Sequence, residues 1–240
     1  MARTIVVSDI HGFRNLLEGA LEHAGFSAGD RLIVAGDLID VGQDNVVGLT
    51  RELGGTILAG NHEVAAALGL AITPQNPESR ARGAEFAEAL ASGEWPLAAN
   101  ADGWIVTHAG LSVALDDFLR PLAADPDAIV RELNSRFIAE MADARGQATH
   151  DWASMERFRL LGGQLGPLWF RPLATADLLG VRQIAGHTPV DHYTPTAVNS
   201  FAAAGLLFVD GGGHLRNDPG RFRYALIEDG EARVVDSDEL

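Results

Sequence analysis

The chain has 240 residues, 47% of them hydrophobic, enough for one sizeable core and too apolar for a disordered chain. Its formal net charge is −15 and all 18 basic residues are arginine, so nucleic acid and anionic membranes are repelled at long range and neither is expected as a partner. There is no cysteine, which excludes a disulfide framework and any thiolate metal site, so a metal would have to sit on His, Asp, Glu or Asn.

Residues 4–7 are a short apolar, β-rich run and predict a buried strand. The run is too short for a signal peptide or a membrane span, so a cytoplasmic location is expected. Apolar residues at 16, 17, 20, 21 and 24 predict an amphipathic helix over 15–24. Strands are expected at 31–35 and 56–59, with a helix over 45–53 that closes on Gly54 and Gly55. This βαβαβ opening argues for an α/β fold with a partly parallel sheet and helices on its face.

Residues 64–100 are rich in Ala and Glu and are broken at 72–77. A strand is expected at 104–107, then a mostly helical stretch over 112–141 interrupted near Pro121 and Pro126. Short strands return at 183–185, 206–209, 224–227 and 232–235, at hairpin-like spacing. No internal repeat or linker divides the chain, so residues 1–240 are expected to form one domain, with cap-like insertions near 64–100 and 111–180.

The polar residues fall at the strand ends. Ser8-Asp9-Ile10-His11-Gly12 follows the first strand and Gly36-Asp37-Leu38-Ile39-Asp40 the second. Gly60-Asn61-His62-Glu63, His108-Ala109-Gly110 and Gly186-His187-Thr188 follow three others. Each motif alone has an ordinary explanation. Asp-x-x-Asp is commonly a turn or a helix cap, Glu63 could serve the first turn of a helix, and His187 could be a loop histidine. Five such ends on one sheet edge would nevertheless converge, as sites do outside the carboxyl ends of strands in open α/β sheets. In Asp9-x-His11, alternation along an extended chain would point both side chains to one face. Asp, His and Asn together suit hard to borderline divalent ions, and there are too many of them for one ion. Two ions sharing a carboxylate would use them all. His23, His150, His192 and His214 lack such settings and are expected on the surface or in ordinary hydrogen bonds.

With these motifs the sequence resembles the calcineurin-like metallophosphoesterases, and the Glu63 of Gly60-Asn61-His62-Glu63 leans toward their phosphoprotein-phosphatase-like branch. That branch includes bacterial Ser/Thr phosphatases and symmetrical diadenosine tetraphosphatases. Asp210-Gly211-Gly212 and Trp169-Phe170-Arg171-Pro172 also look like segments of bacterial members. The resemblance implies two β-sheets packed face to face with helices outside, over which the insertions near 64–100 and 111–180 are expected to form a helical cap. It implies two divalent ions, manganese foremost, with iron, zinc or cobalt also fitting. Asp9, His11 and Asp37 would hold the first ion. Asp37 would bridge to the second, which would also take Asn61, His108 and His187. His62 would be the general acid and Asp40 would orient it. A metal-bridging hydroxide would attack a phosphate ester or anhydride in line, in a phosphoprotein or a diadenosine-tetraphosphate-like substrate. The alternatives are a small-molecule phosphomonoesterase or phosphodiesterase of the same superfamily and a metal-stabilised scaffold without activity. The scaffold sits poorly with His62 and Asp40, which hold no metal in this scheme. The oligomeric state is left open by the sequence.

The resemblance breaks at Val41, where that branch usually carries an arginine that grips phosphate through a bidentate fork. Arg171 is the expected replacement, with Arg14 and Arg216 as weaker candidates.

Overall fold

The computed structural model describes residues 3–71, 73–147, 151–216, 218 and 221–237. His150 and the side chain of Arg216 lie outside the described part.

The strands among the described residues are β1 (Thr4–Val7), β2 (Arg31–Val34), β3 (Thr56–Ile57), β4 (Ala98–Ala101), β5 (Trp104–Thr107), β6 (Gln183–Ala185), β7 (Leu206–Phe208), β8 (Arg223–Glu228) and β9 (Glu231–Asp236). They make two sheets, ordered β3-β2-β1-β8-β9 and β4-β5-β6-β7. Alternation along the strands explains the stacking. Val6, Ile33, Ala225 and Ile227 of the first sheet meet Trp104, Val106 and Ile184 of the second in a core between the sheets. The alternate residues Ile5, Val7, Leu32, Val34, Tyr224 and Leu226 face the other way and pack under helices.

The helices of the first half are α1 (Arg14–Ala24), α2 (Val46–Glu52), α3 (Asn61–Leu68), α4 (Pro77–Ala81) and α5 (Gly83–Ser92). Those of the second half are α6 (Asp116–Leu119), α7 (Pro126–Arg145), α8 (Trp152–Met155), α9 (Pro195–Ala203) and α10 (Gly213–Arg216). In α1 the predicted apolar face, Leu16, Leu17, Ala20, Leu21 and Ala24, is the buried one. The helix stops at Gly25, which takes the left-handed conformation of a C-cap with φ of 61°. The longest helix, α7, starts where Asp125 caps the amide of Ala128 and Pro126 enters the first turn. Phe86 and Leu90 of α5 and Leu133 and Phe137 of α7 join the same core as β1 and β2.

The hairpin-like spacing predicted after residue 181 holds only for β8 and β9. Strands β6 and β7 are parallel neighbours, with α9 between them in the chain. A parallel connection needs a crossover, and Thr194 with Pro195 supplies the start of its helix. Strand β4, inside the Ala-rich stretch, pairs antiparallel with β5.

Register fixes the site. Val7 pairs with Val34 and Val34 with Ile57 in the first sheet. Thr107 pairs with Ala185 and Ala185 with Phe208 in the second. All these pairings are parallel, so the loops after six strands leave at common edges.

Candidate metal centre

The loops after β1 and β2 are tied together through their backbones. The amides of Asp9, His11 and Gly12 donate to the carbonyls of Gly36, Asp37 and Leu38 at 3.2, 2.9 and 2.7 Å. Holding this pairing bends both chains into the left-handed region: φ is 53° at Asp9, 49° at His11, 55° at Asp37, 71° at Asp40 and 52° at Val41. His187 joins them with φ of 65°. Strand β1 ends at Val7, so Asp9 and His11 do not converge by strand alternation as predicted. They converge by a left-handed turn, a conformation that costs a non-glycine residue about 1–2 kcal/mol. Strain of this kind gathers at functional sites.

The predicted ligands come together. His108 Nε2 lies 3.4 Å from Asp37 Oδ2, 2.8 Å from Asn61 Oδ1 and 3.2 Å from His187 Nδ1. His11 Nε2 lies 3.6 Å from the same Asp37 oxygen and 4.0 Å from Asp9 Oδ1. Ligand bonds of about 2.0–2.2 Å put two ligands of one ion about 3–4 Å apart, which is the spacing seen. Two overlapping groups result, Asp37 with His11 and His62, and Asp37 with His108 and His187. Asp37 is common to both.

The donor set fits divalent cations. Asp9, Asp37 and Asp210 are buried, with His11, His108 and His187 beside them. Burial drives the His11 imidazole down to about 3, against the pull of Asp37, and drives His187 well below its ordinary value with help from His108 and Arg171. Both rings are therefore neutral at pH 7, the form that ligates metal. His11 and His108 each place Nδ1 2.9 Å from a backbone carbonyl, of Ile39 and Ala35. A Nδ1–H donating there leaves the Nε2 lone pair facing the centre. The Asn61 amide oxygen faces Asp37 and His108, so it looks only at acceptors; turned over, its nitrogen would donate to Asp37 Oδ2 at 3.0 Å and His108 Nε2 at 2.8 Å. A cation among these groups makes the oxygen-inward orientation the favourable one.

His62 stands apart from the ligands in its chemistry. Its Nδ1 is 2.6 Å from Asp40 Oδ2, and Asp40 Oδ1 accepts the Asn76 amide at 3.1 Å. Burial works against the charged ring, but Asp37 and the Asp40 hydrogen bond outweigh it and hold His62 up at about 9. Its Nε2 lies 3.9 Å from Asp37 Oδ2. A ring held protonated is a poor ligand and a ready acid.

Two further residues belong here. Glu63, at the third position of α3, accepts the amides of Asp37 at 2.9 Å, Leu38 at 2.8 Å and Gly60 at 3.1 Å. It ties the β2 loop to the β3 loop, which reaches well past a first-turn role. Gly60 must be glycine, since a Cβ there would overlap Asp37 and Glu63. His214 was expected on the surface or hydrogen-bonded. It is buried instead, its ring centroid 4.2 Å from that of His11, its Nδ1 without a hydrogen-bond partner and 4.0 Å from Asp210 Oδ1. The signal was in the sequence: Asp210 to His214 is another Gly-rich acid-and-histidine run after a strand, here β7. His23 meets the hydroxyl of Tyr224 at 2.9 Å, an ordinary hydrogen bond as expected.

A cavity of about 330 Å³ opens over the centre, walled by Asp9, His11, Asp37, His62, His187 and Arg171 among others. Of the stretches 64–100 and 111–180, the first contributes Pro74 to its wall and the second Arg171. Arg171 Nη1 is 3.4 Å from Thr188 Oγ1, and no carboxylate pairs with it among the described residues. Arg14 instead pairs with Glu18 at 2.7 Å and does not line the cavity.

The sequence matches the calcineurin-like phosphoesterase family over residues 2–191. The chain belongs to that family. No curated protein matches it. Among solved structures the phosphoesterase is similar to a cold-active protein-tyrosine phosphatase of a psychrophilic Shewanella, with a TM-score of 0.65 and 17% identity over 100% of this chain and 79% of that one. It is similar to a putative diadenosine tetraphosphatase, with a TM-score of 0.55 and 20% identity over 98% of this chain and 93% of the other. A protein serine/threonine phosphatase from Saccharomyces cerevisiae matches with a TM-score of 0.50 and 15% identity, over 98% and 79%. At these identities the likeness is one of fold. Family and fold together make the protein a metal-dependent phosphoesterase, and its two-sheet architecture is theirs. No helix among the described residues is long and apolar enough to cross a membrane.

Proposed function

We infer that this phosphoesterase works with two divalent ions, manganese foremost, and hydrolyses a phosphate ester by direct attack of water, without a covalent enzyme intermediate. The observation that carries the reading is the shared Asp37. Its Oδ2 lies 3.6 Å from His11 Nε2 on one side and 3.4 Å from His108 Nε2 on the other, and His62, held by Asp40 at 2.6 Å, stands beside it. Asp9, His11 and Asp37 would hold one ion, and Asp37, Asn61, His108 and His187 the other. When bound, the ions supply positive charge to the phosphoryl oxygens and a nucleophile from water at neutral pH.

The chain's own residues do the rest. Arg171, on the cavity wall and free of a carboxylate partner among the described residues, receives a phosphoryl oxygen. The Asp40 carboxylate holds the Nδ1 proton of His62 and so aims Nε2 into the cavity. His62 gives its Nε2 proton to the departing oxygen, a contribution of roughly 10²–10⁴-fold. Glu63 keeps the loops of Asp37 and Asn61 in register.

For the substrate, a phosphoprotein is the leading reading. A diadenosine-tetraphosphate-like molecule is the second, on the strength of the likeness to a putative diadenosine tetraphosphatase. Small phosphomonoesters and phosphodiesters come next. The test is to load the protein with manganese and offer it 4-nitrophenyl phosphate, a phosphopeptide and diadenosine tetraphosphate, separating the products by chromatography. Phosphate release from the first two supports the reading. ADP as the only nucleotide product would move the substrate to the dinucleotide. No turnover of any of the three would refute phosphoester hydrolysis.

A further inference from the structure

Five large apolar side chains stand well open to solvent among the described residues, and all five line one of two cavities that share Arg171. Val41, 56% exposed, and Leu215, 63% exposed, stand on the rim of the metal cavity. Val113 at 45%, Leu165 at 54% and Leu173 at 90% line a second cavity of about 180 Å³, floored by the buried Phe170. Arg171 lies on the wall of both. Isolated exposed apolar residues are ordinary on any surface. Here they are not isolated, and they flank Arg171, which lines both cavities. Apolar groups concentrated in this way mark a place where something apolar binds.

Val41 adds an independent observation. It is β-branched and exposed, and the pairing of the β1 and β2 loops holds it at φ of 52°, where β-branched residues are rarely found. An unfavourable backbone under an unfavourably exposed side chain points to a role in binding.

Charge narrows the occupant. The wall arginine can pair with one phosphoryl group, and the second cavity beyond it has no other cation among its lining residues. Asp177 lines the second cavity and accepts the amides of Leu173 and Ala174 at 2.9 and 2.8 Å. A chain of phosphates running past Arg171 would meet that carboxylate and apolar walls. A small aryl phosphate would fill the metal cavity and leave Val113, Leu165 and Leu173 uncovered. A peptide advances about 3.3–3.6 Å per residue, so it sets apolar side chains a short step from a phosphorylated one.

We propose that the substrate is a phosphorylated peptide segment whose phosphoryl group enters the metal cavity and whose neighbouring apolar side chain occupies the Val113–Leu165–Leu173 cavity beyond Arg171. This rests on the phosphoesterase reading above. The test uses the manganese-loaded protein and pairs of phosphopeptides that differ at a single position near the phosphorylated residue, Leu in one and Ser in the other. Both are uncharged, so the net charge of the enzyme does not enter. At one flanking position kcat/KM is expected to favour Leu by about tenfold or more, the scale of burying such a side chain. In a Val113→Ser, Leu173→Ser variant the Leu-to-Ser ratio should fall toward one. That ratio is taken within each enzyme and does not depend on absolute activity. If 4-nitrophenyl phosphate is hydrolysed but no position shows a preference, the proposal is overturned and the phosphoesterase reading stands. A preference that survives in the double variant overturns it too, as does faster turnover of diadenosine tetraphosphate than of any peptide. If neither 4-nitrophenyl phosphate nor any peptide is turned over, both fall.

Discussion

The carboxylate of Asp40 meets Nδ1 of His62 at 2.6 Å, and the same carboxylate takes the Asn76 amide at 3.1 Å through its other oxygen. One acid thus fixes the ring and is itself fixed by the chain that follows α3. Replacing His62 with Ala removes the proton donor and no proposed ligand. The expected result is a fall in kcat of about 10²–10⁴-fold with metal content unchanged by elemental analysis. Asp40→Asn keeps the ring but loses the charge that holds its proton. It should cost about 10–100-fold, the usual range for a residue that orients a site group. Activity near wild type in His62→Ala would remove the acid role.

Arg171 offers the second test. Its guanidinium sits by Thr188 and beside His187, and it presents a fork to the cavity. Arg171→Ala should raise KM or lower kcat by at least about tenfold, which is about 1.4 kcal/mol of transition-state stabilisation. Arg171→Lys should recover only part of this, because an ammonium cannot reproduce a bidentate contact. Unchanged kinetics in the alanine variant would mean that phosphate is held elsewhere.

Glu63 makes a prediction about stability as well as metal. Its two oxygens accept three backbone amides from two loops. In Glu63→Gln one of those oxygens becomes an NH₂ group, which would face N–H donors. A buried polar group left unpaired costs about 1–3 kcal/mol. Denaturant unfolding should show a loss in that range, and manganese should bind more weakly, since Asp37 and Asn61 lie on the tethered loops. Wild-type unfolding and wild-type metal affinity together would reduce Glu63 to a first-turn residue.

The residues around them show what the sequence reveals and what it hides. Asp9, His11, Asp37, Asn61, His108 and His187 are legible because each follows an apolar run, and all but Asp9 stand next to glycine or one residue from it. That is how a chain leaving a sheet edge looks. The left-handed turns at Asp9 and His11 are not legible. They are imposed by hydrogen bonds to Gly36, Asp37 and Leu38, nearly thirty residues away in sequence. Strand β4 escapes the pattern because Ala98–Ala101 has no β-branched residue and is held by pairing with β5. The parallel pairing of β6 and β7 is hidden because short strands give no sign of their direction, although Thr194 and Pro195 do mark a helix between them. The run from Asp210 to His214 after β7 is legible in the same way, whereas the packing of His214 on His11, from the other end of the chain, is not.

Metal removal should show in folding as well as in rate. Asp9, Asp37 and Asp210 are buried in one cluster, and burial together with Asp9 pushes the Asp210 carboxyl well above its ordinary range. Ions bound there would offset that crowding. A ligand at 100 times its Kd stabilises the native state by about 2.7 kcal/mol. Chelation should therefore lower Tm and abolish hydrolysis, and added manganese should restore both. An Asn61→Ala variant should need more manganese for the same gain in Tm. A Tm indifferent to chelator and to manganese would argue against resident ions.

Val41 brings stability and function into opposition. A non-glycine residue in the left-handed region costs about 1–2 kcal/mol, and a β-branched one tolerates it worst. Asparagine visits that region readily, and the Val41 side chain is too exposed to lose much packing when replaced. Val41→Asn should therefore raise stability by about 1 kcal/mol, or about 2–4 °C in Tm for a chain of this size. If the valine is kept for the apolar rim it adds to the metal cavity, the same substitution should lower kcat/KM for phosphopeptides with apolar neighbours. A stabilised variant with undiminished peptide turnover would separate the strain from binding. An unchanged Tm would show that the loop relaxes around valine without cost.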